Sequence, residues 1–177
     1  MLNRPAQANA IDTRLHTALR DQLAEAARDT NVRAIVLSAV GKRVFSAGAD
    51  LKEFAHLTPG EARLRNSAEN LRLTLTALLD FPKPLVCAVQ GKAVGAGCAL
   101  ALAADEVVAA SDASLSFPEI ALNMPSPLAA AMVAARANLS VVRRMVQKAE
   151  TMNAAQALDA GLIDAVYGPP MGVVALQ

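Results

Sequence analysis

Apolar positions along this chain follow two periods, and the alternation between them predicts its elements. Leu15, Leu19, Leu23 and Ala26 recur at helical spacing, with Arg20, Asp21, Glu25 and Arg28 on the other side. This predicts a helix capped by Asp12 or Thr13 and running to about Asp29. Residues 32–39 are mostly apolar and β-branched, the pattern of a strand buried on both faces. A basic, glycine-bounded loop at 41–48 and a short helical turn at 49–54 follow. Thr58-Pro59-Gly60-Glu61 has the order of an N-cap, a first-turn proline and a capping-box acid. It predicts a second helix, with Leu64, Leu71, Leu75, Leu78 and Leu79 on one face, that stops before Phe81-Pro82-Lys83-Pro84.

The apolar run 85–89 predicts a buried strand, and the glycines Gly91, Gly95 and Gly97 a turn. The small apolar residues beyond predict a buried helix starting near Gly95 or Ala96. Segments 106–110 and 114–117 read as short strands around a turn, and Pro118-Glu119 interrupts the pattern. Ser126-Pro127 opens an alanine-rich helix, and 139–148 continues helically. Asn153-Ala-Ala-Gln156 has the form of a cap, 157–160 of a short helix and Gly161 of its stop. Residues 162–167 predict a last strand. Strands alternating with helices predict an α/β fold with parallel strands. Residues 1–167 read as one domain and 168–177 as an irregular tail.

Composition narrows the function. The chain is 54% hydrophobic but 3% aromatic, so Ala, Leu and Val fill its core. A net charge of +1, with few aromatics for base stacking, argues against nucleic acid and acidic membranes as partners. Cys87 and Cys98 lack metal spacing and read as reduced core thiols of a cytoplasmic protein. Met1-Leu-Asn-Arg-Pro5 has no apolar signal core, and Gln90 and Lys92 break the stretch 85–104 as a membrane span. No metal site is expected.

Two loops pair glycine with a helix start: Phe45-Ser-Ala-Gly-Ala-Asp50 and Val94-Gly-Ala-Gly-Cys98. Each leaves a backbone N–H beside glycine, at Ala49 and at Ala96. Two such donors aimed at one oxygen form an oxyanion hole, in which losing one donor costs about 3–4 kcal/mol. Taken singly, either loop reads first as a tight turn or a close packing contact. The order G-x-x-x-G-x-G differs from the dinucleotide fingerprint. Glu119 is a lone carboxylate in an apolar stretch, where burial raises a carboxyl pKa and suits it to proton transfer; taken alone, it reads first as an exposed loop residue. His16 and His56, without a serine in a nucleophile elbow, give no hydrolase triad.

The combination resembles the crotonase family (enoyl-CoA hydratase/isomerase). It rests on Val44-Phe-Ser-Ala-Gly-Ala-Asp-Leu-Lys-Glu53, Lys83-Pro84, Gly91-Lys-Ala-Val-Gly-Ala-Gly-Cys-Ala-Leu-Ala101, Asp105, Phe117-Pro-Glu-Ile120 and the early Leu2-Asn-Arg-Pro5 with Asn9-Ala10. The resemblance covers residues 2–167 and implies a spiral of ββα units acting on an acyl-CoA thioester, with coenzyme A carried by the substrate and no separate cofactor. It implies that the N–H groups of Ala49 and Ala96 hold the thioester oxygen and that Glu119 is the acid/base. The loop carrying Arg43, Ala47, Asp50, Leu51 and Lys52 would bind CoA, with the Ala47 and Leu51 carbonyls at adenine and Arg43 and Lys52 near the phosphates. A homo-oligomer, by resemblance a trimer, is expected.

The chain departs from the family at Ala99, where typical hydratases carry a second glutamate. That favours a one-base double-bond shift (isomerase), with hydration or non-catalytic acyl-CoA binding as alternatives. Ala96 stands where many members have glycine and keeps its N–H donor as long as its φ is negative. A strand before Leu2 and the C-terminal helical segment are expected to be missing or very short, as in a shortened member.

Overall fold

Asp12 begins the first helix: its carboxylate accepts from Leu15 N (2.8 Å) and caps α1, Thr13–Arg28. The computed structural model describes residues 1–53 and 61–168, with 61–67 as backbone only. The Thr58-Pro59-Gly60 start signal, Leu64 and His56 therefore lie outside the described residues and side chains. Lys83 closes the other end of α1 by donating from Nζ to the carbonyls of Ala26 and Asp29, both at 2.6 Å.

The strands alternate between two four-stranded sheets. β1 (Ile35–Leu37), β3 (Leu85–Val89), β5 (Glu106–Ala110) and β8 (Ala165–Tyr167) form one, parallel throughout. The other holds β2 (Val44–Ser46), β4 (Lys92–Val94), β6 (Ser114–Ser116) and β7 (Met152–Asn153); only its β6–β7 pair is antiparallel. Two consecutive strands thus enter different sheets before a helix returns the chain. α2 (Glu61–Leu79) follows β2, and α3 (Ala96–Leu102) follows β4. This is the expected spiral of ββα units. Asp105 accepts from Leu85 N (2.8 Å) and Asp164 from Val107 N (2.7 Å), each tying a turn to a strand of the first sheet.

Every residue of α3 is buried, and the helix packs against α2, β2, β3, β4 and α4 (Pro127–Arg136). A helix apolar all round can be stable only inside a core, and its small side chains let these neighbours approach closely. Arg136, at the end of α4, donates to Leu162 O and Ala104 O at 2.8 Å and pairs with Asp164. Beyond α4 come α5 (Leu139–Val142), a π turn at Arg143–Gln147 and α6 (Ala154–Asp159). Asn153 and Gln156 complete the capping box of α6.

Three expectations need correction. β1 has only three residues, and Val36 is 61% exposed, because the pleat turns it to the face opposite Leu37 and that face is open at β1; the strand is not buried on both faces. The glycine turn after β3 contains a strand of its own, β4, whose alternation is too short to read. Leu79 is exposed at the last turn of α2, whereas Leu75 and Leu78 are buried. No helix of the described residues is long and apolar enough to cross a membrane.

His16 is buried where α1 meets α2, with Nδ1 2.9 Å from Thr74 Oγ1. Burial, then the nearby Arg20 cation, push its pKa down from 6.5 to about 4, against the opposing pull of Asp12. The unfolded chain therefore takes up a proton between pH 6.5 and 4 that the folded protein refuses. The stability contributed by neutral His16 is complete above pH 6.5 and falls as the pH drops towards 4. Thermal unfolding across this window should show a shallower acid loss in His16→Gln than in the parent protein. Parallel acid profiles would contradict this account.

Candidate active site

The loop after β2 is held by the chain's first residues. Ala47 N donates to Ala8 O (3.0 Å), Ile11 N to Gly48 O (2.8 Å) and Asp50 N to Ile11 O (2.9 Å). Ser46, fully buried, donates from Oγ to Asn9 O (2.8 Å) and accepts from Gly48 N (3.2 Å). Asn9, also buried, donates from Nδ2 to Val40 O and Val44 O. The amides of Ala47, Gly48 and Asp50 are thus occupied, while among the described residues the Ala49 N–H donates to no group.

The second loop reaches the same place from β4. Gly95, at φ 52, donates to Ser116 O (2.9 Å) and caps α3. Ala96 opens the helix with ordinary helical backbone, so its N–H has no carbonyl one turn back. Among the described residues it, too, donates to no group. A methyl placed on Gly48 would stand 2.7 Å from Val94 O and 3.4 Å from Ala96 N. The structure therefore brings both glycine loops, and with them the Ala49 and Ala96 segments, into contact. In the same first turn, a methyl on Gly97 would stand 2.5 Å from Ser46 Cβ, which measures how closely α3 lies on β2.

Glu119 arrives through the pairing of β4 with β6, which sets Val94 beside Ser116. A 3-10 helix, Pro118–Leu122, follows immediately, and Asn123 ends it in the left-handed conformation at φ 56. The Glu119 carboxyl rests over Gly95, where a methyl would stand 2.7 Å from Oε1. Its Oε2 is buried without a hydrogen-bond partner among the described residues. Burial raises the Glu119 pKa above the usual carboxylate value, opposed by its own backbone N–H. A carboxyl so placed, beside free amide donors, can accept and return a proton. Burial, then the Glu119 charge, push the Cys98 thiol pKa up, so Cys98 is no nucleophile at neutral pH. Ala99 is 1% exposed, and its side chain belongs to the core.

The remaining residues of the expected CoA loop separate. Arg43 lines a cavity of about 510 Å³ together with Lys42, Lys92 and Asn9. Ala47, Leu51 and Lys52 are exposed. Asp50 is turned inward, its carboxylate 3.0 Å from Arg4 NH2 and accepting from Lys52 N at 3.2 Å. Sequence reasoning missed Arg4, Lys42 and Lys92. Lys42 adjoins Arg43 and was there to be read, but Lys92 reaches the cavity only because β2 and β4 pair Val44 with Lys92.

A family model described as enoyl-CoA hydratase/isomerase matches residues 1–171. The chain is 40% identical to the 2,3-dehydroadipyl-CoA hydratase of Escherichia coli over 168 residues, 94% of this chain and 64% of that protein. With the carnitinyl-CoA dehydratase of Salmonella arizonae it shares 35% over 169 residues, 95% of this chain and 63% of the relative. The crystal structure of an enoyl-CoA hydratase from Bacillus anthracis superposes with a TM-score of 0.89 at 29% identity, covering 94% of this chain and 64% of that one. The chain thus spans somewhat less than two thirds of the length of these relatives.

Ionised Glu119 carries a buried oxygen without a partner, so its charge opposes folding. Both states are protonated below the ordinary carboxylate pKa, and the penalty grows as the pH rises through the raised folded value. Glu119→Gln should therefore melt higher than the parent at pH 8, with the gap closing towards pH 4. A gap that widens on acidification would reverse the sign of this account.

Proposed function

Because the chain belongs to the enoyl-CoA hydratase/isomerase family, we propose that it acts on an enoyl-CoA thioester through an enolate, with Glu119 moving the proton. The observation that carries this reading is the buried, unpartnered Glu119 oxygen, on a carboxyl seated over Gly95 next to the meeting point of the Ala49 and Ala96 loops. The thioester oxygen accepts from both amides, and the negative charge that forms as the enolate develops rests on that oxygen. Each donor contributes about 10²–10³-fold in rate, and a positioned general base about 10²–10⁴-fold.

Two outcomes of that enolate remain, each with its own support. In a double-bond shift, Glu119 takes a proton from C2 of a 3-enoyl thioester and returns it to C4, giving the 2-enoyl isomer with no other reactant. The apolar, buried Ala99 favours this, since no second carboxylate stands at that position. In hydration, water adds its hydroxyl to C3 of a 2-enoyl thioester, and Glu119 passes the water proton to C2. The relatives' names favour hydration or dehydration. The expected preference for isomerisation thus has no support from the comparisons.

The cavity lined by Lys42, Arg43 and Lys92, with no acid among the described residues of its wall, suits the CoA phosphates. Ala47 and Leu51 would meet the adenine, with Lys52 beside them on the exposed loop. Assembly as a homo-oligomer, a trimer by resemblance, is part of the same proposal.

Turnover of matched 2-enoyl- and 3-enoyl-CoA thioesters, with product identification, tests the reaction. Glu119→Gln should lose about 10²–10⁴-fold in turnover while still binding CoA. Undiminished turnover would remove Glu119 from the chemistry, and binding without turnover by the parent chain would leave an acyl-CoA binder. Separately, Lys42→Gln and Lys92→Gln should raise KM for the CoA thioester and leave KM for the corresponding pantetheine thioester, which lacks the nucleotide, unchanged. An equal rise for both substrates would contradict the phosphate assignment.

A further inference from the structure

Arg4 stands outside the proposed oxyanion hole, yet a short relay of peptide planes leads from it to the Ala49 amide. Its NH1 donates to Ala10 O at 2.6 Å. That carbonyl shares a peptide plane with the Ile11 N–H, which in turn donates to Gly48 O at 2.8 Å. The Gly48 carbonyl shares its plane with the Ala49 N–H. In a trans peptide the C=O and N–H point in opposite directions, and the described chain has no cis bond. Fixing Ala10 O therefore aims the Ile11 N–H, and fixing Gly48 O aims the Ala49 N–H away from residue 11. Gly48 packs against Val94 O and Ala96 N, so the plane that carries the Ala49 N–H lies on the loop beside the start of α3.

Arg4 is itself held at both ends of its fork. NH1 lies 3.2 Å from Asp12, the cap of α1, and NH2 lies 3.0 Å from Asp50, the residue after Ala49. These carboxylates offset much of the cationic charge, so polarisation along the relay is small, about 10–30% per hydrogen bond at most. Direction is the larger effect: a misplacement of about 1 Å at a reacting group can cost about 10²-fold.

We propose that Arg4 is a positioning residue for the reaction, orienting the Ala49 N–H through Ala10, Ile11 and Gly48, with Asp50 holding Arg4 rather than CoA. This rests on the oxyanion reading given above. Nothing in it requires Arg4 to touch substrate.

Acetoacetyl-CoA provides a readout independent of turnover, because its enolate absorbs in the near ultraviolet and an oxyanion hole lowers the pH at which the bound ligand enolises. Arg4→Gln should shift that enolisation back towards its value in free solution by about one pH unit, and should lower kcat by up to about 10²-fold while KM stays nearly constant. Arg4→Lys, which keeps one donor for Ala10 O, should recover part of both, and Asp50→Asn should give a smaller loss. Thermal unfolding identifies any variant that fails to fold, in which case the others carry the test. Folded variants with parental enolisation and kcat would overturn the role of Arg4 and leave the proposed function standing. Parent protein that binds acetoacetyl-CoA without moving its enolisation would overturn the oxyanion reading, and this inference with it.

Discussion

The close contact between β2 with its following loop and the first turn of α3 is the constraint from which the rest of the candidate site follows. It is made at Gly48 and Gly97, where even a methyl group would stand within 2.7 Å of backbone or of Ser46. Van der Waals contact at that distance is repulsive, so the approach exists only because these positions lack side chains. It packs the loop that carries the Ala49 amide against the start of α3, where the Ala96 amide lies. Neither amide donates to a group among the described residues, which leaves both open to a bound oxygen.

Glu119 carries a standing cost of its own. Its carboxyl sits over Gly95 with one oxygen buried and unpartnered, and burial raises its pKa. A sequence shaped for stability alone would put an apolar residue or a hydrogen-bonded one there. The surroundings do the opposite of destabilising: α3 is buried along its whole length, Phe45, Phe117 and Leu115 lie almost fully inside, and Arg136 ties α4 to both Ala104 and Leu162. A rigid core supports a locally unfavourable carboxyl, which is the arrangement expected where a group is kept reactive.

The N-terminal segment links these features to the first helix. Arg4 joins Asp12, Asp50 and the Ala10 carbonyl, while Glu53 accepts from Thr13 N at the start of α1. The loop beyond β2 is therefore fastened at residues 47, 48 and 50 and again at 53, by groups that lie within the first thirteen residues. Asp50 illustrates how position and role diverge. As part of the Ala47–Lys52 stretch it reads as a ligand contact, yet its carboxylate faces inward to a cation that no local pattern connects with it.

What the sequence determined by itself is the set of features whose physics is local. Asp12 as a cap, the apolar run of β3, the Asn153–Gln156 capping box and the glycine stop at Gly161 all depend on neighbours a few residues away. The two glycine loops were legible for the same reason, because each is a short motif, whereas Glu119 stood out only through the resemblance of Phe117-Pro-Glu-Ile120 to the family. Tertiary structure alone decided which of them meet. The parallel pairing of β4 with β6 carried Glu119 to Gly95, the pairing of β2 with β4 carried Lys92 to Arg43, and the lack of cover over one face of β1 left Val36 exposed. Those outcomes depend on contacts between residues far apart in the chain, and no periodicity of two or 3.6 residues encodes them.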